Sequence, residues 1–117
     1  MDSLNEVDPM RQDDILVSDD LIRAGCLTLH PARQEVWRDG TMIILTRMEY
    51  ALLLYLVCHA NCVIGREELM QRVWGYPSLG YTRTVDVHVL HLRKKLNLQQ
   101  GIQTIYRVGY LFDAAHV

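Results

Sequence analysis

Apolar residues along this chain change period three times, and each change predicts a different kind of element. Between about residues 22 and 45 they come in short bursts: Leu27 and Leu29, then Glu35 to Trp37, then Met42 to Leu45. Asp39-Gly40 between the last two is a hairpin-turn dipeptide, so a small antiparallel sheet is expected here. From Arg47 to about His59 the spacing becomes helical, with Met48, Leu52, Leu53, Leu56 and Val57 on one side. Thr46 stands as N-cap, and Glu49 three positions on completes a capping box. Asn61 is placed to end that helix in the left-handed conformation. Cys62 to Ile64 reads as a brief extended link.

A second helix is predicted to start at Gly65, with Glu67 and Glu68 in its positive first turn and Leu69, Val73 and Trp74 buried. A loop follows from Gly75 to Gly80. The third helix, from a Thr82 cap to Leu96 (RTVDVHVLHLRKKL), has the sharpest division. At roughly 100° per residue, Val85, Val89, Leu92 and Leu96 share one narrow sector, while Thr84, Val87, His88, His91, Lys94 and Lys95 point away. After a turn over residues 97–101, Gln103 to Tyr106 and Tyr110 to Asp113 predict a closing hairpin that turns through Gly109. Residues 1–20 lack periodicity and carry seven acids and one Arg, which reads as an acidic disordered tail or interdomain linker. One ordered domain is then expected over 21–117.

The order sheet, helix, helix, helix, hairpin is that of an α+β winged helix-turn-helix, with the hairpin as the wing. Charge sharpens this picture. The net charge is −2, yet residues 1–40 hold nine acids against four bases, whereas residues 81–117 hold five bases against two acids. A nucleic-acid footprint is local, and the basic third is the one that contains the outward-facing helix. With half its residues hydrophobic the chain can build a core without a disulfide or structural metal. Cys26, Cys58 and Cys62 are an odd number without a secretory leader, which points to reduced thiols and a cytoplasmic setting. The longest apolar run, Tyr50 to Cys58, is nine residues, against about 20 for a membrane span.

Four blocks in order, LTRMEYALLLYLV, REELMQRVWG, RTVDVHVLHLRKKL and TIYRVGYLF, resemble the effector domain of OmpR/PhoB-type response regulators over about residues 24–113. The resemblance implies a DNA-binding transcription regulator of a two-component phosphorelay. Its third helix enters the major groove of double-stranded DNA and its wing reaches the minor groove. On the helix it assigns Arg83, Thr84, Val87, His88, His91, Arg93, Lys94 and Lys95 to DNA. Of these, Arg83, Arg93, Lys94 and Lys95 suit phosphates, Val87 suits a thymine methyl, and Thr84 suits a phosphate or base edge. On the wing it assigns Thr104, Tyr106, Arg107 and Tyr110.

The loop from Trp74 to Tyr81 corresponds to the family's polymerase-contacting loop, with Tyr76, Leu79 and Tyr81 as contacts, although Trp74 also suits a core anchor. Tandem binding to direct repeats follows from the same resemblance. The phospho-accepting receiver domain needs another hundred-odd residues and has no room here. The chain is then either a fragment or a stand-alone effector.

Two helix positions and the wing depart from the family pattern. Leu90 and His91 stand where arginines are common, and a histidine cannot reproduce the two-pronged contact of arginine to guanine. Tyr106 replaces a minor-groove arginine, and the cation moves to Arg107. In a strand, one residue of displacement turns a side chain to the opposite face, so Arg107 misses the groove unless the turn is rebuilt around it. Altered base preference with less guanine reading is expected. The alternative is a winged helix whose DNA face has become a protein-interaction surface. Asp86, alone among cations, is expected to position Arg83 or nearby backbone. His88 with His91 lacks a third ligand for a metal. Because Cys58 continues the apolar face of its helix, Cys58 and Cys62 are expected to be buried or partly buried thiols and not, with His59, a zinc site. No Gly-rich phosphate loop, nucleophile elbow or metal-ligand set is present, so neither an enzyme nor a cofactor is expected.

Overall fold

The structure, a computed structural model, describes residues 15–18, 20–75 and 82–117. Five short strands form an antiparallel meander in chain order: β1 (Ile15–Ser18), β2 (Leu21–Ala24), β3 (Leu27–His30), β4 (Glu35–Arg38) and β5 (Thr41–Ile43). Ile15–Ser18, inside the stretch read as tail, is therefore already part of the sheet, ahead of the expected start of order near Leu21. Ile15 pairs with Ala24 and Val17 with Ile22. The β-prone run Ile15-Leu16-Val17 was hidden by the acids around it when composition was averaged. Asp39 and Gly40 both take positive φ at the β4–β5 turn, as the hairpin signal requires.

Helix α1 (Arg47–Cys58) starts with the anticipated capping box: Thr46 Oγ1 accepts from the Glu49 amide at 3.2 Å, and Glu49 Oε1 accepts from the Thr46 amide at 2.9 Å. Leu52, Leu53, Leu56 and Val57 are buried, with Met48 half-buried. Asn61 takes the expected left-handed conformation just after the helix. Cys58 and Cys62 are exposed and Cys26 is half-buried, so burial of the first two is corrected. The link after α1 is a strand, β6 (Val63–Gly65). Helix α2 (Arg66–Leu69) widens into π-helical geometry over Met70–Trp74 and stops at Gly75, whose φ is 91°. The wider turn carries Met70 into the core with Leu69, leaving Val73 and Trp74 half-buried.

Helix α3 spans Arg83–Leu96 and buries Val85, Val89, Leu92 and Leu96 completely. Burying side chains of this size is worth about 1.5–3 kcal/mol each, which locks the helix against α1. Thr82 is the N-cap residue, but its hydroxyl makes no capping bond; its carbonyl accepts from Val85 instead. At the other end Asn97 is left-handed, and Arg38 from β4 donates to the Leu96 carbonyl at 2.6 Å. A cation there also suits the helix dipole.

The wing is β7 (Ile102–Ile105) and β8 (Gly109–Phe112), with β8 central between β6 and β7. Gly109 lies in the strand and not in the turn. Any Cβ there would overlap the Ile64 carbonyl, because β6 and β8 approach closely where Gly65 faces Gly109. Tyr106 to Val108 make the turn. No described helix is long and apolar enough to cross a membrane.

Candidate nucleic-acid interface

The side of α3 opposite its buried seam presents Arg83, Val87, Leu90, His91, Lys94 and Lys95 to solvent. Val87 and Leu90 are 40% and 48% exposed, high values for apolar residues on a well-packed helix. Thr84 and His88 are half-buried beside them. His88 Nδ1 donates to the Thr84 carbonyl at 2.8 Å, and its ring meets Trp74 edge-on with centroids 4.9 Å apart. Trp74 therefore acts as an anchor between α2 and α3.

Two carboxylates organise this face. Glu49, on α1, is buried, and its side chain accepts from the other helix: Lys95 Nζ donates to Oε1 at 2.7 Å and His91 Nδ1 to Oε2 at 3.2 Å. Burial alone pushes its carboxyl up. The hydrogen bonds from Lys95 and the Thr46 amide, the charge of Lys95 and the bond from His91 outweigh that and hold it below its ordinary value. Lys95 and His91 are thus on the candidate face but tethered. Lys94 makes no ion pair among the described residues and is exposed.

The second carboxylate is Asp86. Its Oδ1 accepts from Arg66 Nε at 2.8 Å and from the Tyr110 hydroxyl at 2.6 Å. It joins the start of α2, α3 and the wing, whereas the sequence points to Arg83 or nearby backbone as its partner. Burial, then the bond to Asp86, pushes the Tyr110 hydroxyl up from its ordinary value. Tyr110 is 4% exposed, which removes it from the outer surface of the wing. It is central-strand core with a polar tip. Arg93 is also turned inward: Nε and Nη2 donate to the Ile102 carbonyl at 2.9 and 2.6 Å, and Nη2 to Thr104 Oγ1 at 2.8 Å. It braces α3 against β7, so its charge reaches solvent only partly.

At the wing tip Tyr106 is 78% exposed and Arg107 takes φ 63° with its guanidinium over the Tyr106 ring. The exception to the strand-parity argument holds here, since the turn is built around Arg107. The residue sits in the turn, so alternation between sheet faces does not apply, and its cation projects with Tyr106 from the tip. Tyr76, Leu79 and Tyr81, assigned to a polymerase-contacting loop, lie outside the described residues. Cys58, His59 and Cys62 do not assemble a metal-ligand set, and among the described residues no other group of three or more such side chains does.

Sequence reasoning found the exposed face but missed both carboxylate hubs. Glu49 lies 42 and 46 positions from His91 and Lys95, a separation that no periodicity reports. The one signal for the other hub was a lone acid in a basic helix.

A two-layer arrangement of meander sheet, three helices and wing, with a basic outward helix, defines a winged-helix effector domain. Residues 40–112 match the family model for the C-terminal domain of transcriptional regulatory proteins, and the chain belongs to that family. It is similar to the transcriptional regulatory protein VxrB of Vibrio cholerae, 42% identical over 105 residues covering 90% of this chain and 42% of that protein. It is also similar to the uncharacterized transcriptional regulatory protein YclJ of Bacillus subtilis, 41% identical over 101 residues, 84% of this chain and 44% of that protein. The chain thus spans less than half the length of these curated relatives.

Among solved structures, the Klebsiella pneumoniae RstA DNA-binding domain in complex with the RstA box superposes with a TM-score of 0.75 at 32% identity, covering 82% of this chain and 99% of that one. The Thermotoga maritima response regulator DrrB, an OmpR/PhoB homologue, gives 0.71 at 31% identity over 82% of this chain and 45% of that one. The domain is of the OmpR/PhoB effector type.

Proposed function

We propose that this domain binds double-stranded DNA sequence-specifically as the effector of a two-component transcription regulator, with α3 in the major groove and the wing at the minor groove. The observation that carries this reading is the exposed face of α3, where Arg83, Val87, Leu90, His91 and Lys94 are outward while the seam beneath them is fully buried. A helix of this width fits the major groove, and its mixture of cations, a ring nitrogen and apolar groups suits phosphates, base edges and thymine methyls. Arg83 and Lys94 serve phosphates, Val87 and Leu90 face methyl groups, and His91 faces a base edge. Arg107 and Tyr106 at the wing tip serve the second groove. Arg93 and Tyr110 position the wing without touching DNA.

A protein-interaction module without DNA binding draws on Leu90 and His91, but it loses its wing argument, since Arg107 is at the exposed tip. Two copies on direct repeats about one helical turn apart are the assembly to test first. A polymerase contact through residues 76–81 and control by a receiver domain in a longer protein complete the proposal.

The test is a titration with duplexes recovered from a random pool, at two salt concentrations. Nanomolar binding with a preferred sequence is expected, and Lys94→Ala is expected to lower the slope of log affinity against log salt by about 0.9. Absence of binding to any duplex at low salt, by folded protein, overturns the proposal.

A further inference from the structure

We infer that Glu49, buried beneath the recognition helix, sets the hydrogen-bonding polarity of His91 toward DNA: it holds the ring proton on Nδ1 and leaves Nε2 outward as an acceptor. The inference rests on the DNA-binding reading above and adds to it the class of base that this position selects.

The two oxygens of Glu49 have separate duties. Oε1 accepts from the Thr46 amide at 2.9 Å and from Lys95 Nζ at 2.7 Å, and neither donor can act as an acceptor. Oε2 faces His91 Nδ1 at 3.2 Å. An ionised carboxylate has no proton to give, so Nδ1 must be the donor. In an uncharged imidazole one nitrogen donates and the other accepts, and the partner of one fixes the role of the other. Among the described residues the His91 ring makes this single hydrogen bond, and its side chain is 46% exposed. Nε2 is therefore available to solvent or to DNA with a lone pair. The neighbouring His88 is set the same way, since its Nδ1 meets the Thr84 carbonyl, which only accepts.

An outward acceptor pairs with an exocyclic amine in the major groove, on adenine N6 or cytosine N4, and opposes guanine O6/N7 and thymine O4. An arginine at this position would have the reverse preference. Glu49→Gln reverses the polarity without removing the cap, because glutamine also serves in a capping box. Its amide oxygen must take the Oε1 place, where two donors converge, so its NH2 faces His91. Nδ1 then becomes the acceptor and the proton moves to Nε2.

The experiment pairs a measurement on the free protein with one on its complexes. At about pH 8, where ordinary imidazole is uncharged, the ring nitrogens of His91 are assigned by long-range 15N NMR in wild type and E49Q. The Nδ1–H tautomer is expected in wild type and Nε2–H in E49Q. Binding selections on wild type, H91A and E49Q are expected to show one position at which wild type prefers adenine or cytosine. H91A should lose that preference and E49Q should shift it toward guanine or thymine. At an adenine, replacement by purine lacking the 6-amino group should weaken wild-type binding about 3- to 10-fold and leave H91A unchanged. An Nε2–H tautomer in the wild type overturns the inference, whether or not E49Q folds. So does DNA binding in which no position responds to H91A. Failure of folded wild type to bind any duplex instead sinks the DNA-binding reading, while the ring spectrum still decides what Glu49 does.

Discussion

Glu49 and Asp86 each hold two side chains around α3, yet they do so from opposite environments. Glu49 reaches in from α1 and is buried, with a side chain 3% exposed. Asp86 is on α3 itself, with a side chain 39% exposed. Glu49 fixes groups that face the candidate DNA surface, His91 and Lys95. Asp86 fixes groups behind it, Arg66 and Tyr110, and so sets the angle between helix and wing. The difference teaches where each contributes. A carboxylate out of water is costly unless every donor is in place, so its loss or the loss of a partner is strongly felt. A half-exposed one is screened, and its share in stability is small even where its share in geometry is large.

The largest effect should therefore come from Glu49→Ala. It removes the reciprocal cap of α1, worth about 1 kcal/mol, and leaves Lys95 and the Thr46 amide without their acceptor. A total loss of about 2–4 kcal/mol is expected in urea unfolding. Asp86→Ala should cost clearly less. Equal losses would mean that burial does not separate the two sites.

Acid should act on the Glu49 hub, and alkali on the Tyr110 hydroxyl of the other. The Glu49 carboxyl lies below its ordinary value of 4.5. Its contribution is then complete above that value and is lost as pH falls through the folded-state value. Tyr110 has the opposite sign. Its hydroxyl is pushed up from 10.0, so its contribution holds below that value and fades as pH rises through the folded-state value. Buried Tyr50, pushed up to about 12, shares the alkaline loss. In chemical denaturation across pH, Glu49→Gln should flatten the acid limb below about pH 4.5 and leave the alkaline limb alone. An acid limb identical to wild type would show that Glu49 is not held in its charged form by this packing.

How much of this was legible in the chain depends on sequence distance. The seam Val85, Val89, Leu92 and Leu96 repeats within four turns, and the Thr46–Glu49 box is three residues long, so both follow from local rules. The strand Ile15–Ser18 was obscured by averaging over its acidic surroundings. Gly109 was read as a turn because glycine favours turns, whereas here its lack of a Cβ admits β6 beside β8. The left-handed turn residue is Arg107, for which no local preference speaks. The outward face of α3 is exposed as its spacing implies, but Arg93 and Tyr110, which the resemblance assigns to DNA, are claimed by partners on β7 and α3. Only the folded chain brings those partners together.

The smallest effect expected is the coupling within the second hub, and it asks whether Asp86 acts on the wing through Tyr110. Tyr110→Phe removes one hydroxyl that donates to Asp86 at 2.6 Å and keeps the buried ring. A net cost of about 1 kcal/mol is expected. With Asp86 absent, that hydroxyl has lost its acceptor, so the same change should cost almost nothing. The double-mutant cycle of Asp86→Ala and Tyr110→Phe should therefore show a coupling of about 0.5–1 kcal/mol. The same cycle run with Glu49→Ala in place of Asp86→Ala should be additive, since Glu49 and Tyr110 share no partner. Coupling there as large as with Asp86 would mean that the two carboxylates work as one network, and the distinction between a hub serving the exposed face of α3 and a hub serving the wing would be lost.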